Sequence, residues 1–443
     1  MKLTLSCSLA AAALFTAAGA AAAPTWITIG ERAHAVLLKA APAARTLASR
    51  EVAVTVPVQR GAAALKAATE TVHAVEIDEE MLPTLSFAVH RELRKCGGFA
   101  RHESMAEALA TLQRIDGAPA SLLAPSYAID NQALVNTLMP QLQASNILST
   151  IQQLSNFQNR RYNSTHGVNA SNWLFAQWQA LNPGNRRDIQ VRQITHSWAQ
   201  KSVEFTIYGT GNAGETVILG AHLDSIASGP VETMRAPGAD DDASGVAGLT
   251  EVIRVLMASN YVPKRNIRFI AYAAEEVGLW GSQAIAAQQA SRRDLVVGVM
   301  QLDMTAFQGD STDIWIYTDY TNAAQNAFVA NLVGAYLPTY SVGYDACGYG
   351  CSDHASWHNK GFITSFPFEA SDATYNFQIH TTNDTIATFG GTANHALKFT
   401  RLALAWLVEL GSDGAPAAQA APAAKPEQPI KAAKPATRAA AAR

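Results

Sequence analysis

Between residues 131 and 411 the chain alternates short apolar runs with longer amphipathic stretches. The short runs are rich in Val, Ile, Phe or Tyr and break off at polar clusters, which predicts buried strands at 203–208, 217–221, 267–273, 297–302, 314–318 and 363–368. The longer stretches at 245–259, 323–336 and 395–409 read as helices. N-T-L-M-P-Q-L-Q and I-L-S-T-I-Q-Q-L, just after Asn131, have amphipathic helical spacing. Strand and helix in alternation predict an α/β domain: a mixed, mostly parallel central sheet with helices on both faces.

The chemistry lies where the runs end. V-I-L-G-A stops at His222-Leu223-Asp224, F-I-A-Y-A-A at Glu275-Glu276, and V-M-Q-L at Asp303, while F-Q-I-H-T-T supplies His380. Ligands in open α/β sheets bind beyond the carboxyl ends of the strands, so two imidazoles and several carboxylates converge on one crevice. Buried carboxylates repel one another unless something positive lies between them. A divalent metal, or a pair of them, meets that need. The run Asp240-Asp241-Asp242 belongs to the same crevice, because Pro-Gly precedes it and Ala-Ser-Gly and an apolar helix follow. Glu275 and Glu276, adjacent at a strand end, project in different directions. One can bind metal while its neighbour faces the substrate, the division of labour that metal-assisted hydrolysis needs.

Two other patterns are weaker. The run from Gly209 to Gly214 matches G-x-G-x-x-G, but a strand follows it where a dinucleotide site requires a helix, so a hairpin turn is the better reading. Cys347, Cys351, His354 and His358 have the spacing of a small zinc site, yet H-A-S-W-H lacks the glutamate of H-E-x-x-H. A Cys347–Cys351 disulfide followed by a short helix with packed histidines is preferred.

Composition adds the compartment. M-K followed by an apolar stretch and small residues before Pro24 reads as a signal peptide over 1–23, cut near Ala22 or Ala23, so export is expected. No later stretch is long and apolar enough to span a bilayer. A net charge of −3 gives no reason to expect nucleic acid as a partner. Residues 24–128 are alanine-rich with helical patches and no metal-ligand pattern, and Cys96 there has no partner; a helical pro-segment is expected. The catalytic domain is placed at 129–412, and the Ala/Pro/Lys-rich stretch 413–443 reads as a disordered tail.

A-H-L-D-S, A-P-G-A-D-D-D-A-S-G, A-Y-A-A-E-E-V-G-L-x-G-S, Q-L-D-M-T, C-G-Y-G-C-S-D-H-A-S-W-H and I-H-T-T-N-D-T, in that order, resemble the secreted bacterial leucyl aminopeptidases with two co-catalytic zincs. The resemblance implies the zinc-exopeptidase type of α/β sheet and two Zn2+ per chain. Asp241 would bridge the metals, His222 and Asp303 would complete one site, and Glu276 and His380 the other. Glu275 would be the general base, Asp224 would orient the His222 imidazole, and Tyr349 would stabilise the oxyanion. A cis peptide bond between Asp241 and Asp242 is also implied. The pocket for the first side chain maps onto Met304, Tyr349, Phe366, Phe368, Tyr375 and Ile379, walled by Cys347–Cys351, with Leu-like residues preferred. Asp372 stands where an aromatic residue is expected. Turned toward the pocket it could accept a basic first residue; because an unpaired buried carboxylate is costly, it is expected to face solvent, which leaves the leucine preference standing. Peptide or protein N-termini would be the substrates of a monomeric enzyme. The alternatives are a single-zinc glutaminyl cyclase-like enzyme, a non-catalytic receptor-like ectodomain, and a carboxypeptidase or deacylase of related architecture.

Overall fold

The structure, a computed structural model, describes residues 23–57, 65–93, 97–114, 125–211 and 214–413. The expected signal peptide, Cys96, Asn212-Ala213 of the glycine run and the tail beyond Asp413 lie outside the described residues.

The larger unit is built on an eight-stranded sheet. Its strands are β5 (Ile189–Ile194), β6 (Ser202–Ile207), β7 (Thr216–His222), β8 (Asn266–Tyr272), β9 (Val296–Gln301), β10 (Ile314–Tyr317), β11 (Val342–Asp345) and β12 (Thr364–Phe368). Their spatial order is β11-β10-β12-β9-β7-β8-β6-β5. The run β12-β9-β7-β8 is parallel, while β6 and β5 add on antiparallel and β10 opposes β12. Each expected strand is present to within a residue or so at its ends.

Alternation along the strands explains the layers, since successive side chains leave opposite faces. From β7, Val217, Leu219 and Ala221 enter the main core with Phe269 and Ala271 of β8. That core is closed by α4 (Gln132–Leu138), α5 (Ala144–Ser155), α7 (Ala243–Ala258), α9 (Ala323–Tyr336) and α11 (Asn394–Ser412). Ile218, Ile270 and Tyr272 point the other way, against Ile285 of α8 (Trp280–Arg292) and Trp357 of α10 (His354–His358). Another helix, α6 (Thr165–Ala180), adds Leu174 and Trp178 to the main core. No helix among the described residues is long and apolar enough to cross a membrane.

The segment expected to be a helical pro-segment differs. It is a four-stranded antiparallel sheet of β1 (Pro24–Gly30), β2 (Arg45–Pro57), β3 (Leu65–Asp78) and β4 (Phe99–His102), in the order β2-β3-β1-β4. The helices α1 (Glu31–Ala40), α2 (Leu82–Leu93) and α3 (Met105–Arg114) pack on it. The physical reason is visible in T-V-H-A-V-E-I, where apolar residues alternate; Val72, Ala74 and Val75 are buried. The helical reading followed the alanines, which strands generally disfavour.

Candidate metal centre and substrate pocket

Three of the expected groups arrive from adjacent parallel strands. β7 ends at His222, β8 runs on to Glu275-Glu276 and β9 to Asp303. The register sets His222 opposite Tyr272 and Gly220 opposite Gln301, so all three ends meet at one sheet edge. β8 and β9 flank β7 on opposite sides, which makes β7 the point where the connections diverge and a crevice opens. Asp242 caps α7, accepting the Gly245 N–H at 2.8 Å, and its other oxygen accepts the His222 N–H at 2.9 Å. The Asp241–Asp242 peptide bond is cis, as the resemblance implied. Ala274, Met304 and His380 hold positive φ values of 60°, 54° and 56°. Such non-glycine conformations persist where surrounding structure enforces them, and functional sites are where they cluster.

Asp241 sits between the two imidazoles. Its Oδ1 is 2.9 Å from His222 Nε2 and its Oδ2 is 3.3 Å from His380 Nε2. His222 Nε2 is also 3.5 Å from Asp303 Oδ1, and His380 Nε2 is 2.7 Å from Glu276 Oε2. All five residues are buried. Ligand-capable atoms of His222, Asp241 and Glu276 lie within 4.8 Å of one another, as do those of His222, Asp242 and Asp303. Asp303 Oδ1 and Glu276 Oε1 accept no hydrogen bond from the described residues. A buried acceptor without a donor is costly, and a cation removes that cost.

The protonation balance points the same way. Burial alone would lower the His222 pKa, but Asp303, Glu275, Asp224 and Asp241 together push it well above the ordinary value. His380 is likewise opposed by burial and yet pushed up to about 10 by Glu276 and Asp241. Burial raises the Asp241 pKa, and its two histidine partners overcome this and hold it below the usual carboxylate range. The donor set, His and carboxylate oxygen, suits zinc.

Glu275 is buried beside this cluster, and burial chiefly pushes its pKa well above the ordinary value. Asp224 plays a fuller part than the sequence suggested. Its carboxylate accepts the N–H groups of Glu275 at 3.0 Å and Glu276 at 3.2 Å. The His222 Nδ1 is nearer the Asp224 carbonyl, at 3.2 Å, than its Oδ1, at 3.6 Å. Asp224 therefore fixes the glutamate pair, and its main chain is the closer partner of the imidazole.

Two supporting residues went unassigned in the sequence. Asp384, inside the quoted N-D-T, accepts the N–H groups of Asp240 and Asp241, each at 3.1 Å. Arg160 is wholly buried and donates to the carbonyls of Leu223 at 2.8 Å, Pro237 at 2.6 Å and Gly238 at 2.8 Å. It ties the loop after His222 to the one that delivers the aspartate run. Its permanent charge faces Asp384, Asp242, Asp241 and Asp224. No motif in N-R-R-Y announces this role.

The pocket residues gather beside Asp303. Met304, Tyr349, Phe366, Phe368, Tyr375, Cys347 and Cys351 line one cavity, joined by Tyr317, which sequence reading missed. Ile379 packs in the same buried cluster without lining the cavity. The Cys347–Cys351 disulfide is formed, and the Cys347, Gly348 and Tyr349 N–H groups all donate to the Asp319 carboxylate at 2.8–3.2 Å. Asp372 also lines the cavity and is half-buried, which corrects the expectation that it faces solvent. His354 stacks on Phe366 with ring centroids 4.5 Å apart and belongs to the packing.

The N-terminal unit lies across this edge. The His90 ring of α2 is 5.0 Å from that of His380. Gly30, Arg32, Glu70 and Leu93 share a second cavity with Tyr349 and Asp372. Arg101 N–H donates to the Gly278 carbonyl at 3.1 Å, its guanidinium stands 4.6 Å from the Trp280 ring centroid, and Glu107 pairs with Lys360 at 2.8 Å.

The chain as a whole is similar to known proteins. Residues 205–405 match the model of peptidase family M28. Leucine aminopeptidase 1 of Grosmannia clavigera is 34% identical over 317 residues, which cover 68% of this chain and 76% of the relative. Its counterpart in Coccidioides posadasii is 33% identical over 64% of this chain and 75% of the relative. Among solved structures, LapB from Legionella pneumophila is 29% identical with a TM-score of 0.72, over 88% of this chain and 100% of that one. That likeness covers more of the chain than the catalytic unit alone supplies.

Proposed function

This chain belongs to peptidase family M28 and is a metallo-aminopeptidase, and from that premise we propose that it is a secreted di-zinc enzyme releasing apolar, Leu-like residues from peptide N-termini. The observation that carries the two-metal reading is Asp241, with one oxygen toward His222 and the other toward His380. His222, Asp241 and Asp303 would hold one zinc, and Asp241, Glu276 and His380 the other. When bound, zinc acts as a Lewis acid, bringing the pKa of water down to roughly 7 and polarising a carbonyl.

The residues around it do the rest. Glu275, raised above the ordinary carboxylate range and held by the Asp224 carboxylate through its backbone N–H, takes a proton from the attacking water and returns it to the leaving amine. Tyr349, steadied through its backbone by Asp319, stands at the pocket beside Asp303 to meet the developing oxyanion. The apolar wall of Met304, Phe366 and Phe368 receives the first side chain, and burying a leucine there contributes roughly 1.5–3 kcal/mol. The N-terminal unit, lying over His380 and Tyr349, is a pro-segment whose removal opens the site, and the mature enzyme acts as a monomer.

The test is hydrolysis of aminoacyl-anilides by the purified protein before and after release of the N-terminal unit, with and without chelator. Free-amine Leu-anilide should be cleaved, N-acetyl-Leu-anilide refused, and chelator should abolish turnover until zinc is restored. Cleavage of the blocked substrate would favour a deacylase, and cyclisation of an N-terminal glutamine without hydrolysis a glutaminyl cyclase. No turnover with any of them would favour the receptor-like reading.

A further inference from the structure

Arg160 and Arg161 are neighbours in sequence, yet only the first has partners for its guanidinium. The Arg161 N–H donates to Asn159 Oδ1 at 3.1 Å, and the Tyr162 carbonyl accepts the Gln200 N–H at 2.9 Å, so the main chain is held on both sides of this side chain. The Arg161 residue is only 8% exposed, its Nε has no acceptor, and its guanidinium forms no ion pair with any described residue. A buried cation without a partner is costly. It lines a cavity of about 400 Å³ with Tyr162, Asn163 and Val277, and Glu79 and Glu80 of the N-terminal unit complete the wall. Val277 follows Glu276 in the chain, and the negative charges of Asp224 and Glu276 act on Arg161. β8, which leads to Val277, and β9, which leads to the first-residue pocket at Asp303, flank β7 on opposite sides. The two cavities therefore lie on opposite sides of the metal centre.

We propose that Arg161 binds the free C-terminal carboxylate of short peptides, so that the enzyme favours di- and tripeptides as substrates. With the first side chain in the pocket beside Asp303, the rest of the peptide leads toward the β8 side, and each further residue adds at most about 3.3–3.6 Å of reach. A guanidinium offers a carboxylate two parallel, charge-assisted hydrogen bonds. In the intact chain Glu79 and Glu80 add negative charge to the cavity, and Glu79 is already paired with Arg101 at 3.3 Å. Release of the N-terminal unit removes both glutamates and frees Arg161 for an anion. The inference rests on the aminopeptidase reading above and names a substrate class for it.

The experiment compares kcat/KM for the free-acid and C-terminal amide forms of Leu-Gly, Leu-Gly-Gly and Leu-Gly-Gly-Gly-Gly, with Leu-anilide alongside. The zinc-loaded full chain is used as purified and after limited proteolysis between the two units. After proteolysis, wild type should favour the acid over the amide by about 10-fold for Leu-Gly or Leu-Gly-Gly, the low end for a charged hydrogen bond. The longest peptide should show no such preference, because its carboxylate lies beyond the cavity. Arg161→Gln should lower the acid-to-amide ratio of the short peptides by about 10-fold, and Arg161→Lys should keep part of it. A ratio unchanged in Arg161→Gln, a wild-type ratio that does not fall with peptide length, or a wild type that cleaves Leu-anilide but refuses the short free acids overturns this proposal and leaves the aminopeptidase reading standing. If neither Leu-anilide nor any peptide is cleaved in either form, that reading fails and this proposal with it.

Discussion

The N-terminal unit buries Ile27, Ile29, Val75 and Ile77 under α1 and α2, and an ion pair that joins it to the catalytic unit, Glu107–Lys360, is partly exposed on both sides. The catalytic unit buries Asp224, Asp240, Asp241, Asp242, Glu276, Asp303 and Asp384 around His222, His380, Arg160 and Arg161. Both units are α/β assemblies with a closed apolar core, yet one holds a dense charge cluster that its own protein cations do not balance. Burying charge is expensive unless each group is paired. Such a cluster marks the unit that does chemistry, while the other unit lies against it near His380 and Tyr349.

The sharpest break in that comparison is at Glu275. Glu275→Gln should lower kcat by about 100- to 10,000-fold, the range of a lost general base, while zinc content stays as in wild type because Glu275 is not a ligand. A near-normal rate would remove it from the reaction.

Arg160 tests the cost of balancing charge. Arg160→Met leaves the carbonyls of Leu223, Pro237 and Gly238 without their donor and the aspartates without their fixed cation. The catalytic unit should lose about 3–5 kcal/mol in urea unfolding. A loss under about 1 kcal/mol would show that the guanidinium is dispensable.

pH separates the two units in another way. His102 of β4 is buried, bonds to Thr28 Oγ1 at 2.9 Å, and burial lowers its pKa to about 4. The unfolded chain takes up this proton near 6.5 and the folded chain near 4, so the neutral form stabilises the N-terminal unit above pH 6.5. That stability drains away as the pH falls from 6.5 toward 4. Proteolytic release of the unit should quicken across that window, and His102→Gln should flatten the dependence. An equally steep dependence in the variant would exclude His102 as its source.

The smallest effect belongs to the interface. Lys360→Ala, removing the pair with Glu107, should cost no more than about 1 kcal/mol and speed release of the N-terminal unit only a few-fold. A change of several kcal/mol would mean that the units are joined far more tightly than this contact implies.

What the sequence made legible follows from burial. β7, β8 and β9 are buried on both faces, so their apolar runs stand out, and the ligands fall where those runs stop. β5, I-Q-V-R-Q-I, is only partly buried, and β11 is four residues long, so neither gave a run to notice. Alanine hid the N-terminal sheet. Arg160 and Asp384 act on main-chain groups far away along the chain, and no local pattern encodes that. Asp372 sits half-covered at the pocket wall, where the cost of full burial does not apply, and sequence alone does not separate half-covered from buried.

The account stands or falls on Asp241 serving two metal positions. Zinc bound per chain, measured by elemental analysis of the dialysed, zinc-loaded protein, tests this most directly. Two zincs in wild type, with the content falling toward zero in Asp241→Asn, is the result predicted. One zinc in wild type, or an undiminished content in Asp241→Asn, would contradict it.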